Sequence, residues 1–142
     1  MFSSKKQPAI RSLIGEGTVI QGTLSFSGGL RIDGEVQGDV VADAGSTSIL
    51  VISEKARVTG TVKAGHVIIN GAVVGPIESS VLLELQPKAH IQGDVVYEAL
   101  EMHQGATIEG ALHPLSKGAR ADAVTTDDKP ALKLLATGSD KN

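Results

Sequence analysis

Leu50-Val51-Ile52-Ser53-Glu54-Lys55-Ala56-Arg57-Val58-Thr59-Gly60-Thr61-Val62 is the stretch that decides the fold. Apart from Val51, its apolar side chains fall at Leu50, Ile52, Ala56, Val58 and Val62, always an even number of positions apart. That is the period of a strand with one face buried, and helical spacing is not sustained anywhere near it. The same pattern returns 33 residues later as Leu83-x-Leu85-x-x-x-Ala89-x-Ile91-x-Gly93-x-Val95. It comes again 17 further on as Leu100-x-Met102-x-x-x-Ala106-x-Ile108-x-Gly110-x-Leu112. Since 33 is close to twice 17, the unit is 16 to 17 residues. A variant, Val67-x-Ile69-x-Gly71-x-Val73-x-Gly75-x-Ile77, lies between the first two copies.

A shorter motif, apolar-x-Gly-x-apolar, runs through the whole middle of the chain. It is centred on Gly22, Gly34, Gly60, Gly71, Gly93 and Gly110. A unit of this length with strand periodicity cannot bury its own inner face, but copies stacked on one another can. Each unit is therefore expected to form one coil of a β-solenoid, rising about 4.8 Å per coil, the spacing between paired strands. Val58, Ile69 and Ile91 are expected to point into the lumen as parts of an aliphatic ladder. Val, Ile, Leu and Ala number 14, 11, 13 and 15, against three aromatic residues in 142. Such a composition suits a thin regular core better than a thick irregular one, which would use aromatics to fill volume.

Charge divides the chain into three blocks. Residues 1–12 carry Lys5, Lys6 and Arg11 and no acid; residues 13–115 carry five basic and twelve acidic side chains; residues 116–142 carry five basic and four acidic. The expected organisation is a flexible basic arm at 1–12, a β-helix at 13–115 and a disordered tail at 116–142, where the repeat stops. A middle block with a net charge of −7 is a poor nucleic-acid binder, because duplex affinity is built on phosphate neutralisation. The absence of Cys excludes disulfides, thiolate catalysis and zinc–sulfur sites. The apolar runs are too short for a membrane-spanning helix, and the opening residues lack the apolar stretch of a secretory signal, so a cytoplasmic protein is expected.

Two solenoid types compete. Ile14, Ile20, Phe26 and Ile32 follow the six-residue spacing of a left-handed hexapeptide helix, the scaffold of trimeric transferases. That register breaks at Gly38, and a 17-residue unit is not a multiple of six. The right-handed parallel β-helix, all-β and of about six coils, is the expected fold. The trimeric hexapeptide transferase is the alternative.

With these residues in view, the chain resembles the bactofilins, bacterial cytoskeletal proteins. The resemblance rests on Leu13-Ile14-Gly15-Glu16-Gly17, on Leu30-Arg31-Ile32-Asp33-Gly34 followed by Gly38, and on Val67-x-Ile69-x-Gly71-x-Val73-x-Gly75. It continues through Ala89-x-Ile91-x-Gly93-Asp94 and Gly105-Ala106-x-Ile108-x-Gly110. It implies non-polar filaments assembled without nucleotide on the inner face of the cytoplasmic membrane. It also implies a scaffold that localises cell-wall synthesis or hydrolysis enzymes, or another bactofilin, in shape or morphogenesis. Bactofilins often carry Phe in the final coil where an end-to-end contact forms; Ile108 occupies that position here, smaller but still apolar.

No capping helix is evident beside the first or last repeat, so the ends of the aliphatic ladders are expected to be exposed. Ile14, Ile20 and Leu24 at one end, with Ile108, Leu112 and Leu115 at the other, are the expected polymer interface. Met1, Phe2, Lys5 and Lys6 resemble the short Met-Phe-led membrane-targeting segment of many bactofilins and are the expected membrane contact. No catalytic, cofactor or metal site is assigned. His66, His90, His103 and His113 occupy the outward positions of the repeat, where no orienting carboxylate stands at a telling spacing. His90-x-x-x-Asp94 and Glu98-x-x-Glu101 read as solubilising charge on a solenoid wall. No Gly-rich phosphate loop ends in Gly-Lys-Ser/Thr.

Overall fold

Alternating apolar and polar residues, broken by Gly and small polar corners, fold as short strands that turn and stack on themselves. The structure, a computed structural model, describes residues 9–43 and 47–115, and all their regular structure is β. The first coil holds β1 (Ile10–Ile14), β2 (Val19–Gln21) and β3 (Leu24–Phe26). The second holds β4 (Gly28–Ile32), β5 (Glu35–Gln37) and β6 (Val40–Ala42). Next come β7 (Ser48–Ile52), β8 (Arg57–Thr59), β9 (Val62–Ile69), β10 (Ala72–Val74) and β11 (Ile77–Leu85). Both β9 and β11 run through a corner and serve two successive coils. The chain closes with β12 (His90–Gln92), β13 (Val95–Tyr97), β14 (Leu100–Met102), β15 (Thr107–Glu109) and β16 (Leu112–Pro114). Every pairing is parallel, which gives a β-solenoid of about six coils. β1 begins at Ile10, so the first coil takes in three residues that the charge pattern groups with the arm.

Register makes the core. In the six-stranded sheet β2-β5-β8-β10-β12-β15, Ile20, Val36, Val58, Val73, Ile91 and Ile108 lie directly over one another. A second column runs Leu24, Val40, Val62, Ile77, Val95 and Leu112. A third runs Ile14, Ile32, Ile52, Ile69, Leu85 and Met102. The inner four residues of each column are at most 1% exposed. Each such side chain contributes roughly 1.5–3 kcal/mol by leaving water, so these ladders are the main source of stability. The two described aromatics sit at a corner where their register partners are small: Phe26 beside Ala42, and Tyr97 beside Ser79.

One corner is a column of glycines. A Cβ on Gly75, whose φ is +144°, would run into the carbonyl of Gly60 in the coil before, and Gly60 stands in the same relation to Gly38. Close approach and a left-handed backbone both demand glycine there. Two aspartates next to this column tie coils together: Asp39 Oδ1 accepts from Thr61 N–H at 3.0 Å, and Asp94 Oδ1 from Ala111 N–H at 3.1 Å. Buried peptide groups at the Gly65 bend are satisfied by hydroxyls. Gly65 N–H donates to Ser48 Oγ (2.9 Å) and Ser79 Oγ donates to Gly65 C=O (2.8 Å).

Candidate functional site: the two ends of the solenoid

Each ladder has to stop somewhere, and among the described residues three of them stop without a lid. Ile14, Ile20 and Leu24 are the first residues of these three columns, and Met102, Ile108 and Leu112 the last. All six are only partly buried, packed against the core on one side and uncovered along the solenoid axis. A fourth column, Leu30, Leu50, Val67, Leu83 and Leu100, starts under Ser12 and ends on Leu100, which is buried. β2 and β15 are the outermost strands of the six-stranded sheet, and β1 and β16 end the path through the larger one. Their outer rows of N–H and C=O groups have no strand to pair with, and no helix occurs among the described residues to cover them. Each end is thus an apolar triangle rimmed by backbone hydrogen-bonding groups. Its chemistry suits continuation of a sheet.

Five of the six expected interface residues fall on these two triangles. Leu115 does not: it lies just past β16, is 47% exposed and is anchored only through its N–H to Tyr97 C=O (2.7 Å). Met102 takes the third corner of the last coil instead. The sequence carries the signal for it, since Met102 fills the slot held by Ile52 and Leu85 in earlier copies of the unit. Val58, Ile69 and Ile91 are completely buried inner members of their columns. Met1, Phe2, Lys5 and Lys6, and the tail 116–142, lie outside the described residues.

The histidines are less uniform than their outward positions suggest. His90 Nδ1 is 2.8 Å from Thr107 Oγ1, and its Nε2 is 3.8 Å from Glu109. His66 is half-buried, and desolvation lowers its pKa against the opposing pull of Glu84 and Glu101. His103 stands beside two carboxylates, with Nε2 3.4 Å from Glu84 and 3.7 Å from Glu101. Glu101 is His103's neighbour along the chain, two positions before it, while Glu84 comes from the adjacent coil and linear spacing conceals it. Asp33 accepts from the Ser53 hydroxyl and from Arg31 Nε (2.9 Å), and these bonds hold its carboxyl below the ordinary carboxylate range. Among the described residues no helix is long and apolar enough to cross a membrane.

One family model, described as Bactofilin, polymer-forming cytoskeletal, matches residues 12–113. Neither a curated protein nor a solved structure matches the chain.

Proposed function

The chain belongs to the bactofilin family of polymer-forming cytoskeletal proteins, and from that premise we propose a non-enzymatic scaffold that polymerises end to end beneath the cytoplasmic membrane. The observation that carries this reading is the pair of uncovered aliphatic triangles that close the three ladders. Stacking two ends buries six partly exposed aliphatics and pairs the edge strands. Neither gain needs a nucleotide, so assembly is driven by burial and backbone pairing alone. In a filament without polarity like ends meet, through two-fold contacts of each triangle with its own copy.

Membrane attachment is assigned to Met1, Phe2, Lys5 and Lys6. Burying Phe2 in the lipid interface contributes roughly 1.5–3 kcal/mol, and each basic residue about 1 kcal/mol near anionic headgroups. The solenoid, with twelve acids against five bases in residues 13–115, is repelled by the same surface. One arm is therefore marginal, while a filament presents many arms at once and binds firmly. The filament then concentrates its clients, cell-wall synthesis or hydrolysis enzymes or another bactofilin, at one place in the cell. Flotation with anionic liposomes tests the proposal. Deleting residues 1–8, or Phe2→Glu alone, should leave filaments intact and release them from lipid. Flotation undiminished by the deletion would rule out the arm as the anchor.

A further inference from the structure

In-register stacking places like residues over like, and on the outer wall of the last two coils it stacks two carboxylates. Glu84 in β11 pairs directly with Glu101 in β14. Two positions beyond Glu101, on the same outward side of the chain, stands His103. Its backbone is held at both ends: its N–H donates to Leu85 C=O (2.9 Å), and its C=O accepts from Ala106 N–H (3.1 Å). Like charges stacked one strand apart repel and destabilise a sheet unless something neutralises them. Elsewhere acids are offset by a base from another coil: Lys63 lies beside its register partner Glu78, while Lys88 and Lys55 reach across an intervening coil to Glu54 and Glu16. Among the described residues no Lys or Arg reaches Glu84 or Glu101; Gln86 Nε2 donates to Glu84 at 3.2 Å, His103 is the imidazole in ion-pair range of both, and the half-buried His66 of the coil before also feels the charge of both.

The imidazole is not hydrogen-bonded to them. His103 Nε2 is shielded from solvent and has no hydrogen-bond partner, although the ring as a whole is 42% exposed. Its separations from the two carboxylates, 3.4 and 3.7 Å, are long for charge-assisted hydrogen bonds. The shorter equals the edge of a coordination tetrahedron, about 3.4 Å when each bond is about 2.1 Å, and the longer needs only a small side-chain rotation to reach it. One ligand atom from each of Glu84, Glu101 and His103 can be chosen so that all lie within 4.8 Å of one another. A nitrogen donor with two carboxylate oxygens suits Zn²⁺ and its neighbours better than Mg²⁺ or Ca²⁺, which take oxygen ligands.

We propose that Glu84, Glu101 and His103 bind one divalent transition cation of the Zn²⁺ class, which clamps the sixth coil onto the fifth. The cation removes the carboxylate repulsion and completes its shell with solvent on the open side. Because Met102 lies between two of the ligands, the clamp also steadies one corner of the terminal triangle.

The test uses untagged full-length protein, freed of metal by chelation and then dialysed against Zn²⁺ with excess Mg²⁺. Metal retained per chain is measured together with the melting temperature. One Zn²⁺ per chain is expected, with a higher melting temperature that chelation reverses. His103→Ala and Glu101→Gln should each weaken binding at least tenfold while far-UV circular dichroism stays unchanged. The double variant His90→Ala with His113→Ala, which alters imidazoles away from the cluster, should bind as the parent does. No retained Zn²⁺, or equal retention by His103→Ala and Glu101→Gln, overturns the site. Loss of binding in the His90/His113 variant would place the metal elsewhere and overturn it as well.

Discussion

Replacing Ile91 with Asp should prevent folding, and replacing its neighbour Gln92 with Asp should not. Ile91 is completely buried between Val73 and Ile108 in the column of the six-stranded sheet, whereas Gln92 is exposed. The Ile91 change forfeits roughly 1.5–3 kcal/mol of side-chain burial. It also places a carboxyl among aliphatics with no donor in reach, which costs several more kcal/mol whether the group stays charged or is forced neutral. A total on the order of 5 kcal/mol or more consumes much of the 5–15 kcal/mol by which domains are stable. Gln92→Asp points to solvent but lies in register with Glu109, so it adds one like-charge pair and should cost no more than about 1 kcal/mol. A milder probe, Ile91→Val, should cost about 0.5–1.5 kcal/mol. Thermal melts followed by circular dichroism rank the three. Similar melting temperatures for Ile91→Asp and Gln92→Asp would show that the inward–outward register is wrong.

Gly75→Ala combines backbone strain at φ +144° with a clash against the Gly60 carbonyl, so it should cost more than the roughly 1–3 kcal/mol of a strained residue alone. Gly17→Ala, at φ +91° but facing open space, isolates the strain and should melt at a higher temperature than Gly75→Ala. Asp33 titrates below its unfolded value, first because of the Ser53 hydroxyl and then because of Arg31. It therefore contributes stability that is present above the unfolded pKa of about 4 and is lost as pH falls through the folded value. Ser53→Ala should flatten the fall in melting temperature below about pH 4; an unchanged acid profile would remove that hydrogen bond from the account.

The repeat was legible because the lumen imposes a strict constraint: one aliphatic per column per coil, with period two along each strand. That is why Leu50, Leu83 and Leu100 could be aligned by eye, and why they occupy one column with Leu30 and Val67. The unequal coils were harder to see. From Val36 to Val58 the chain takes 22 positions, but from Val58 to Val73 only 15. The extra length falls between β6 and β7, where the repeat of the sequence lapses from Asp43 to Thr47. The ends of the ladders follow from the first and last repeats, which is how Ile14, Ile20, Leu24, Ile108 and Leu112 were reached. Leu115 was included because apolar character persists past the last Gly corner, yet nothing on the page of residues says where the final strand stops. The Glu84–Glu101–His103 group was invisible for a different reason. Glu101 and His103 stand two positions apart in the chain, but Glu84 joins them only when two coils are stacked, and outward positions obey no pattern that would announce it.

Ile108 is the most direct test of the proposed end-to-end assembly, because it closes the buried column above Ile91 and is only partly buried at the end of that column. Purified Ile108→Arg, compared with the parent without nucleotide, should be followed by sedimentation and negative-stain electron microscopy. Arginine at this corner sets like charges against each other across a two-fold junction, while its partly exposed position lets the coil fold around it. The account predicts a protein with the parent's circular dichroism that forms no filaments and stops at dimers joined through the Ile14–Ile20–Leu24 end. Filaments from Ile108→Arg as long and abundant as the parent's would contradict it.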